Sequence, residues 1–285
     1  MSIITISRGC YSHGKEIAER VAAALGYECI SREVVLEASQ FFNIPENQLA
    51  SSMHHAPGLL ERIIHPQEHQ HYLDCVQAAL RERVKNDNVV YHGVAGHLFL
   101  SDISHVLKVR VIANMEDRVA MVCKLRNIAY EEAVALIESE DRLREQWYHS
   151  VYKKDMSDPR LYDMVLSIGR LTLDDASELI CAAAARQSFK TTDRSRRELS
   201  DLALQSHVQT ALSDLCEADV KVSGGIVTVK VKGQKLRGTG FTRPGMQQRV
   251  QARIKEDLQQ EITALVSKIS GVKDLICEIE SPYYA

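Results

Sequence analysis

Apolar and polar positions alternate in an Ile-rich run over residues 2–7, which predicts a strand. From residue 14 onward Ile17, Ala18, Val21, Ala22 and Leu25 recur at helical spacing, and Gly26 stops the run. A short strand is expected at "YECIS", and residues 32–88 read as largely helical and polar, interrupted at "HHAPG" and "IIHPQEH". Further strands are expected at Val89 to Tyr91, at "HVLKVRVIA" and at "YDMVLSIG". Between them, "NMEDRVAMVCKL" begins a helix with Asn114 as N-cap and Asp117 three residues on. "TLDDASELICAAAA" repeats the arrangement with Thr172 and Asp175. Strands alternating with helices in this way predict a parallel α/β sheet, whose ligands lie beyond the carboxyl ends of the strands.

The pattern changes after residue 186. "RQSFKTTDRSRRELS" is polar and basic and reads as a linker, residues 187–200. Beyond it come a helix over 198–216 and two alternating strands around Gly224-Gly225, a hairpin signal. A long helix and a last strand at "GVKDLICEIE" complete an α-β-β-α-β segment. The expected domains are residues 1–186 and 201–285. Each is long enough to bury its own core.

Composition supports two globular units without adding chemistry. The 285 residues are 45% hydrophobic and 26% charged, which excludes global disorder. A net charge of −3 supplies no general attraction for nucleic acid, and any anion site must be built locally. Seven dispersed cysteines without a C-x-x-C pair read as reduced thiols, so a cytoplasmic protein is expected, with no metal site. No basic-then-apolar segment opens the chain and no apolar run approaches the roughly 18 residues of a membrane span.

The candidate chemistry starts in the turn after the first strand. Gly9 to Lys15 spells G-x-x-x-x-G-K, in which glycines let the backbone curl around an anion, a helix start faces it, and a Lys reaches the outer phosphates. Gly9, Ser12, His13, Gly14, Lys15 and Glu16 are therefore the expected phosphate-binding residues of a nucleotide such as ATP. Glu16 replaces the Ser or Thr whose hydroxyl would hold Mg²⁺, and Tyr11 and His13 are bulky for such a loop. A turn with a purely structural task is the other reading.

The opening stretch "ITISRGCYSHGKEIAERVAAALGYECISREVV" resembles the cytidylate-kinase-like family of nucleoside monophosphate kinases. So do "VVYHGVAGHLFL" and "EDRLREQWYHSVYKKDMSDPRLYDMVLSIGRLTLDDASELI", which match its buried strand ending in Gly-Arg-Gly and its lid-to-last-helix stretch. The resemblance implies an α/β P-loop fold, a parallel sheet flanked by helices, and transfer of the ATP γ-phosphate to a CMP- or dCMP-like acceptor. It places Arg144 at the lid arginine position and makes Lys15, Arg142 and Arg144 the catalytic cations. It makes Gly93 and Asp163 substrate-binding positions. Arg142 is equally read as part of a solvated helix face, and Asp163 as an anchor of the sheet end. Gly93-Val94-Ala95 lacks the family's arginine and Ser31 replaces a common Asp, so a nucleotide-binding module without turnover is the alternative function.

Five histidines, His54, His55, His65, His69 and His71, read as surface residues of an insert; His65 and His69 have metal-ligand spacing but no completing ligand. Trp147 and Tyr148 read as core, with stacking on a base as the other reading. Residues 200–281 resemble a BON domain, which implies attachment to a membrane or protein partner, with Lys230, Lys232, Lys235, Arg237 and Arg243 as a candidate anion patch or a protected sheet edge. The fold expected is thus a P-loop kinase-like parallel sheet plus a small α-β-β-α-β domain.

Overall fold

The computed structural model describes residues 2–56, 68–233, 235–236, 244–281 and 283–284. It divides into two compact units, Met1–Arg196 and Arg197–Ala285.

The first unit is built on a five-stranded parallel sheet in the order β2-β3-β1-β4-β5. Its strands are β1 (Ile3–Arg8), β2 (Glu28–Ile30), β3 (Val89–Tyr91), β4 (Val106–Ala113) and β5 (Met164–Ile168). The helices are α1 (Gly14–Leu25), α2 (Glu33–Phe42), α3 (Glu46–His54), α4 (Glu68–Arg83), α5 (Gly96–Phe99), α6 (Met115–Arg126), α7 (Tyr130–Tyr152) and α8 (Leu173–Ala184). The chain runs from β1 out to β2, returns to β3 beside β1, then crosses to β4 on β1's other side. Chain direction thus reverses around β1, so the turn after β1 opens at the switch point where α/β sheets bind ligands.

One face of the sheet is closed by α1 and α8. Ile17, Ala18 and Val21 of α1 and Ala176 and Ile180 of α8 pack on Ile4, Ile6, Val109 and Val111, all buried. The apolar spacing that predicted these helices is the same stripe that meets the sheet. Trp147 is buried and its indole N–H donates to Ser52 O (2.7 Å), fastening α7 to α3. Both expected caps are formed: Asn114 Oδ1 accepts from Asp117 N, and Thr172 and Asp175 make a reciprocal capping box.

A polar cluster sits inside this unit. The His97 ring stacks 5.7 Å from Tyr148, its Nε2 lies 3.4 Å from Tyr162 Oη, and its Nδ1 is buried with no hydrogen-bond partner among the described residues.

The segment read as a linker carries a short 3₁₀ turn, Gln187–Phe189, and the opening turns of α9 (Asp193–Leu212). In the second unit β6 (Ala218–Ser223) and β7 (Ile226–Val231) form an antiparallel hairpin, and β9 (Asp274–Ile279) lies parallel to β7. Gly224 and Gly225 take φ 60° and 87°, the left-handed values a two-residue hairpin turn requires. Helix α10 (Pro244–Val266) and the residue pairs of β8 (Lys235–Leu236) and β10 (Tyr283–Tyr284) complete it. Val208, Leu212, Val227, Val229, Ile262 and Val266 form its separate core.

Candidate active site

The turn between β1 and α1 is shaped around its own unpaired N–H groups. Tyr11 (φ 56°) and His13 (φ 62°) are both left-handed, so the backbone alternates in hand and its amides converge on one side. Among the described residues none of the backbone N–H groups of residues 10–16 donates to another protein atom. His13 is the N-cap of α1 and makes no side-chain cap, which leaves the helix's first amides and its positive dipole end open. Two non-glycine residues in this region cost on the order of 1–3 kcal/mol each. The surrounding structure has to hold them there.

It does so from below and from one side. Gly9 N donates to Val111 O (3.1 Å), and the buried Ser12 hydroxyl lies 2.9 Å from Gly9 O and 3.0 Å from Val111 O. Ser12 therefore serves the loop's own geometry. On the side, α7 contributes Arg144, which donates to Arg8 O (2.7 Å), and Glu140, which accepts from Tyr11 Oη (2.8 Å). The Cys10 thiol is buried, and burial followed by the effect of Asp141 pushes it up to about 12, so it stays neutral and is no nucleophile.

Gly14 is required by Arg8. A Cβ at position 14 would stand 2.6 Å from Arg8 Cβ and 2.8 Å from Arg8 Cδ. The bare glycine lets the Arg8 stem cross the start of α1 and carry its guanidinium into a cleft. Gly14→Ala is expected to cost about 1–3 kcal/mol by overpacking and to displace Arg8. Thermal melting together with phosphate titration checks both effects.

That first cleft, about 390 Å³, opens beyond the carboxyl ends of β1, β2 and β3. Arg8, Arg32, Arg144, His54 and His92 line it, and among the described residues no carboxylate does. Burial and the adjacent Arg144 hold Arg8 below its ordinary value, and no described residue hydrogen-bonds or ion-pairs with its guanidinium. His92 is likewise lowered by burial and then by Arg8. Two half-buried guanidinium groups repelling each other across a cleft leave positive charge there that an anion with at least two oxygens would offset. Arg144 also lines a smaller adjoining hollow of about 170 Å³ with Cys10 and Glu140.

A second cleft, about 640 Å³, opens on the other side of the same loop, beyond β4 and β5. Its wall is mixed: Met121, Leu125 and Leu173 are apolar, Glu16, Asp117 and Lys124 bring charge, and His13 adds a polar ring. His13 Nδ1 lies 3.5 Å from Glu16 Oε1. The same loop thus stands between a cationic cleft and a partly apolar one.

The residues named from the sequence fall differently around it. Lys15 points along α1, 60% exposed, with Nζ 3.7 Å from Glu19 Oε1. Arg142 is exposed on α7, whereas Arg144, two residues on, faces the clefts. Gly93 and Val94 line the first cleft, and a Cβ on Gly93 would collide with the Tyr91 ring. Asp163 sits at the amino end of β5, where its carboxylate accepts from Lys108 N (2.8 Å), at the opposite end of the strands from both clefts. His54 reaches the first cleft, and His69 Nε2 lies 3.1 Å from His55 O. His71 Nε2 lies 3.7 Å from Cys75 Sγ. His65 lies outside the described residues, among which no group of three or more metal-ligating side chains occurs. In the second unit Lys230 pairs with Glu278 (2.8 Å) and Lys232 with Glu217 (2.6 Å). Arg237, Arg243 and the Lys235 side chain are outside the described set.

Arg8 and His92 were not singled out from the sequence. Arg8 carried a faint signal, a cation at the end of a strand entering the glycine loop; His92 carried none.

A model of the family described as Cytidylate kinase-like matches residues 3–170. A cytidylate kinase from Methanothrix thermoacetophila is 26% identical over 116 residues, 40% of this chain and 64% of that protein. One from Methanopyrus kandleri is 29% identical over 111 residues, 36% of this chain and 58% of that protein. The chain spans less than two thirds of the length of the curated relatives it matches. Among solved structures, an uncharacterized protein from Eubacterium ventriosum aligns with TM-score 0.48 and 18% identity, covering 65% of this chain and 100% of that one.

Proposed function

This chain belongs to the cytidylate kinase-like family, and from that premise we propose that it moves a phosphoryl group from a nucleoside triphosphate to a nucleoside monophosphate. The observation that carries the reading is the open amide loop between two clefts, with Arg8 and Arg144 facing the carboxylate-free one. In this reading the phosphate of the acceptor, a CMP- or dCMP-like nucleotide, lies between those two guanidinium groups. The triphosphate, with ATP as the donor, lies along the residue 10–16 amides. Its base rests against the apolar wall of the second cleft. Phosphoryl transfer is mostly positioning and charge neutralisation, and an amide nest with two arginines provides both.

Glu16 and Asp117 are hard oxygen donors in the second cleft, a chemistry that suits Mg²⁺. They would hold the ion, and the ion's positive charge would offset that of the triphosphate. Lys15 reaches the phosphates by leaving its exposed pairing with Glu19, which costs little at a solvated site.

A second reading, binding without turnover, is favoured by Val94 where the family carries arginine and by Glu16 in place of the hydroxyl. A coupled assay with ATP and CMP, dCMP, UMP or AMP separates the two. Turnover with one acceptor supports the kinase, while tight binding without turnover supports the second reading. Absence of ATP binding in calorimetry overturns both. Lys15→Ala is expected to weaken ATP binding by about 1.5–3 kcal/mol. Glu16→Gln is expected to weaken Mg²⁺-ATP but not metal-free ATP, and the same titrations check both.

For residues 201–285 we retain the BON-like reading, a partner-attachment module whose β6–β7 hairpin and parallel β9 agree with it. No helix among the described residues is long and apolar enough to cross a membrane.

A further inference from the structure

Arg118, on α6, lines neither of the clefts lined by Arg144, yet it is nearly buried (side chain 12% exposed) and hydrogen-bonded through two of its nitrogens. Its Nε donates to Cys10 O (2.7 Å) and its Nη2 to Asp141 Oδ2 of α7 (2.6 Å). A guanidinium can do both at once because its donors form a rigid planar fork. The Cys10 carbonyl and the Tyr11 N–H belong to one planar trans peptide and point in opposite directions. Fastening the carbonyl toward α6 and α7 therefore turns the Tyr11 amide the other way, toward the loop's open side. The next bond along, Tyr11 Oη to Glu140, pins the left-handed residue itself to the same helix.

We propose that Arg118 is the positioning residue of the anion loop: it fixes the Cys10 carbonyl against α7 and thereby aims the amides that bind phosphate. The proposal rests on the reading that this loop binds phosphate, and adds that its shape is imposed by the α6–α7 hairpin. Glycine alone does not explain it, because Tyr11 and His13 hold left-handed backbone that their side chains disfavour. Without the Arg118 bond the peptide is free to flip, and the loop relaxes toward conformations that scatter its N–H groups.

The test is pyrophosphate binding by calorimetry, which needs no acceptor and no turnover. Arg118→Ala is expected to weaken pyrophosphate about 10- to 100-fold, the range for a positioned group displaced by a remote change. Arg118→Lys is expected to lose about 10-fold, since one ammonium cannot hold Cys10 O and Asp141 in the same geometry. Its melting temperature should stay within a few degrees of the parent. The Tyr11 amide cross-peak in a ¹H–¹⁵N spectrum should move in the parent at pyrophosphate concentrations that leave it in place in both variants. A merely structural arginine would change the melting temperature and leave the affinity of the folded fraction unaltered. If the parent binds pyrophosphate and both variants bind within twofold of it, the proposal is overturned while the phosphate-loop reading stands. If the parent itself does not bind, the phosphate-loop reading fails and takes the proposal with it. Should both Arg118 variants fail to fold, Asp141→Asn decides, because it loosens the arginine without removing it. A severalfold loss is expected, and unchanged affinity overturns the idea.

Discussion

Replacing Arg144 with alanine is expected to lower kcat/KM for phosphoryl transfer by about 10³-fold, the low end of what a transition-state arginine contributes. Arg144 has two tasks in the structure. It donates to Arg8 O, which holds the end of β1, and it faces the cationic cleft opposite the Arg8 guanidinium. Alanine leaves a carbonyl without its donor and removes one of the two guanidinium groups assigned to the acceptor phosphate. The first loss is a stability effect of about 1.5–3 kcal/mol, roughly 5 °C in a protein of this size. The second falls on kinetics. Arg144→Lys should recover little, because a single ammonium cannot keep the carbonyl bond and also present a planar fork to phosphate. Steady-state assays beside thermal melts separate the two tasks. Should Arg144→Ala retain more than a tenth of the parent kcat/KM, the charge assigned to it in the cleft is wrong.

The fold is also expected to weaken in mild acid because of His97. Burial, followed by Arg110, Lys154 and Lys108 nearby, lowers the imidazole from about 6.5 to about 3. In the unfolded chain it titrates near its ordinary value. The unfolded state therefore binds a proton that the folded state refuses throughout the window between these values. Stability from this group is complete above about pH 6.5 and is lost as pH falls toward 3, at up to about 1.4 kcal/mol per pH unit. The whole window is worth on the order of 5 kcal/mol. Tyr148 beside it supplies no charge, because burial pushes it up to about 12, and Tyr162 Oη offers a 3.4 Å contact to Nε2. His97→Phe keeps an aromatic ring against Tyr148 and removes both the titration and the unpaired Nδ1. Urea unfolding from pH 7 to 4.5 should show a shallower decline in the variant. Parallel declines would mean that His97 is protonated in the folded protein.

How much of this was legible without coordinates depends on the distance over which each feature is specified. The alternation of strands and helices, the Asn114 and Thr172 caps, the Gly224-Gly225 hairpin and the strand–loop–helix around Gly9 and Gly14 are written within a few consecutive residues. Caps act over three positions and amphipathic stripes over four, so their chemistry is readable in one dimension. Lys15 shows where that reading stops. The motif alone directs its ammonium to phosphate, but an i,i+4 carboxylate, Glu19, is also within reach and takes it in the structure. Asp163 lies in a stretch that resembles a kinase segment, yet parallel pairing with β4 puts it at the far end of the sheet from the clefts.

Residue patterns alone give the α/β class, a glycine-containing turn between the first strand and the first helix, and a second, separately cored segment. Each of these follows from periodicity, turn residues and caps that act locally. Only the tertiary structure decided what surrounds the loop. Tyr11 meets Glu140 across 129 residues, Arg118 meets Cys10 across 108, and Arg144 meets Arg8 across 136. No local pattern encodes such contacts, because they exist only when the strand order β2-β3-β1-β4-β5 brings α6 and α7 alongside the turn after β1. That packing leaves Arg8 and Arg144 facing one cleft whose described lining holds no carboxylate.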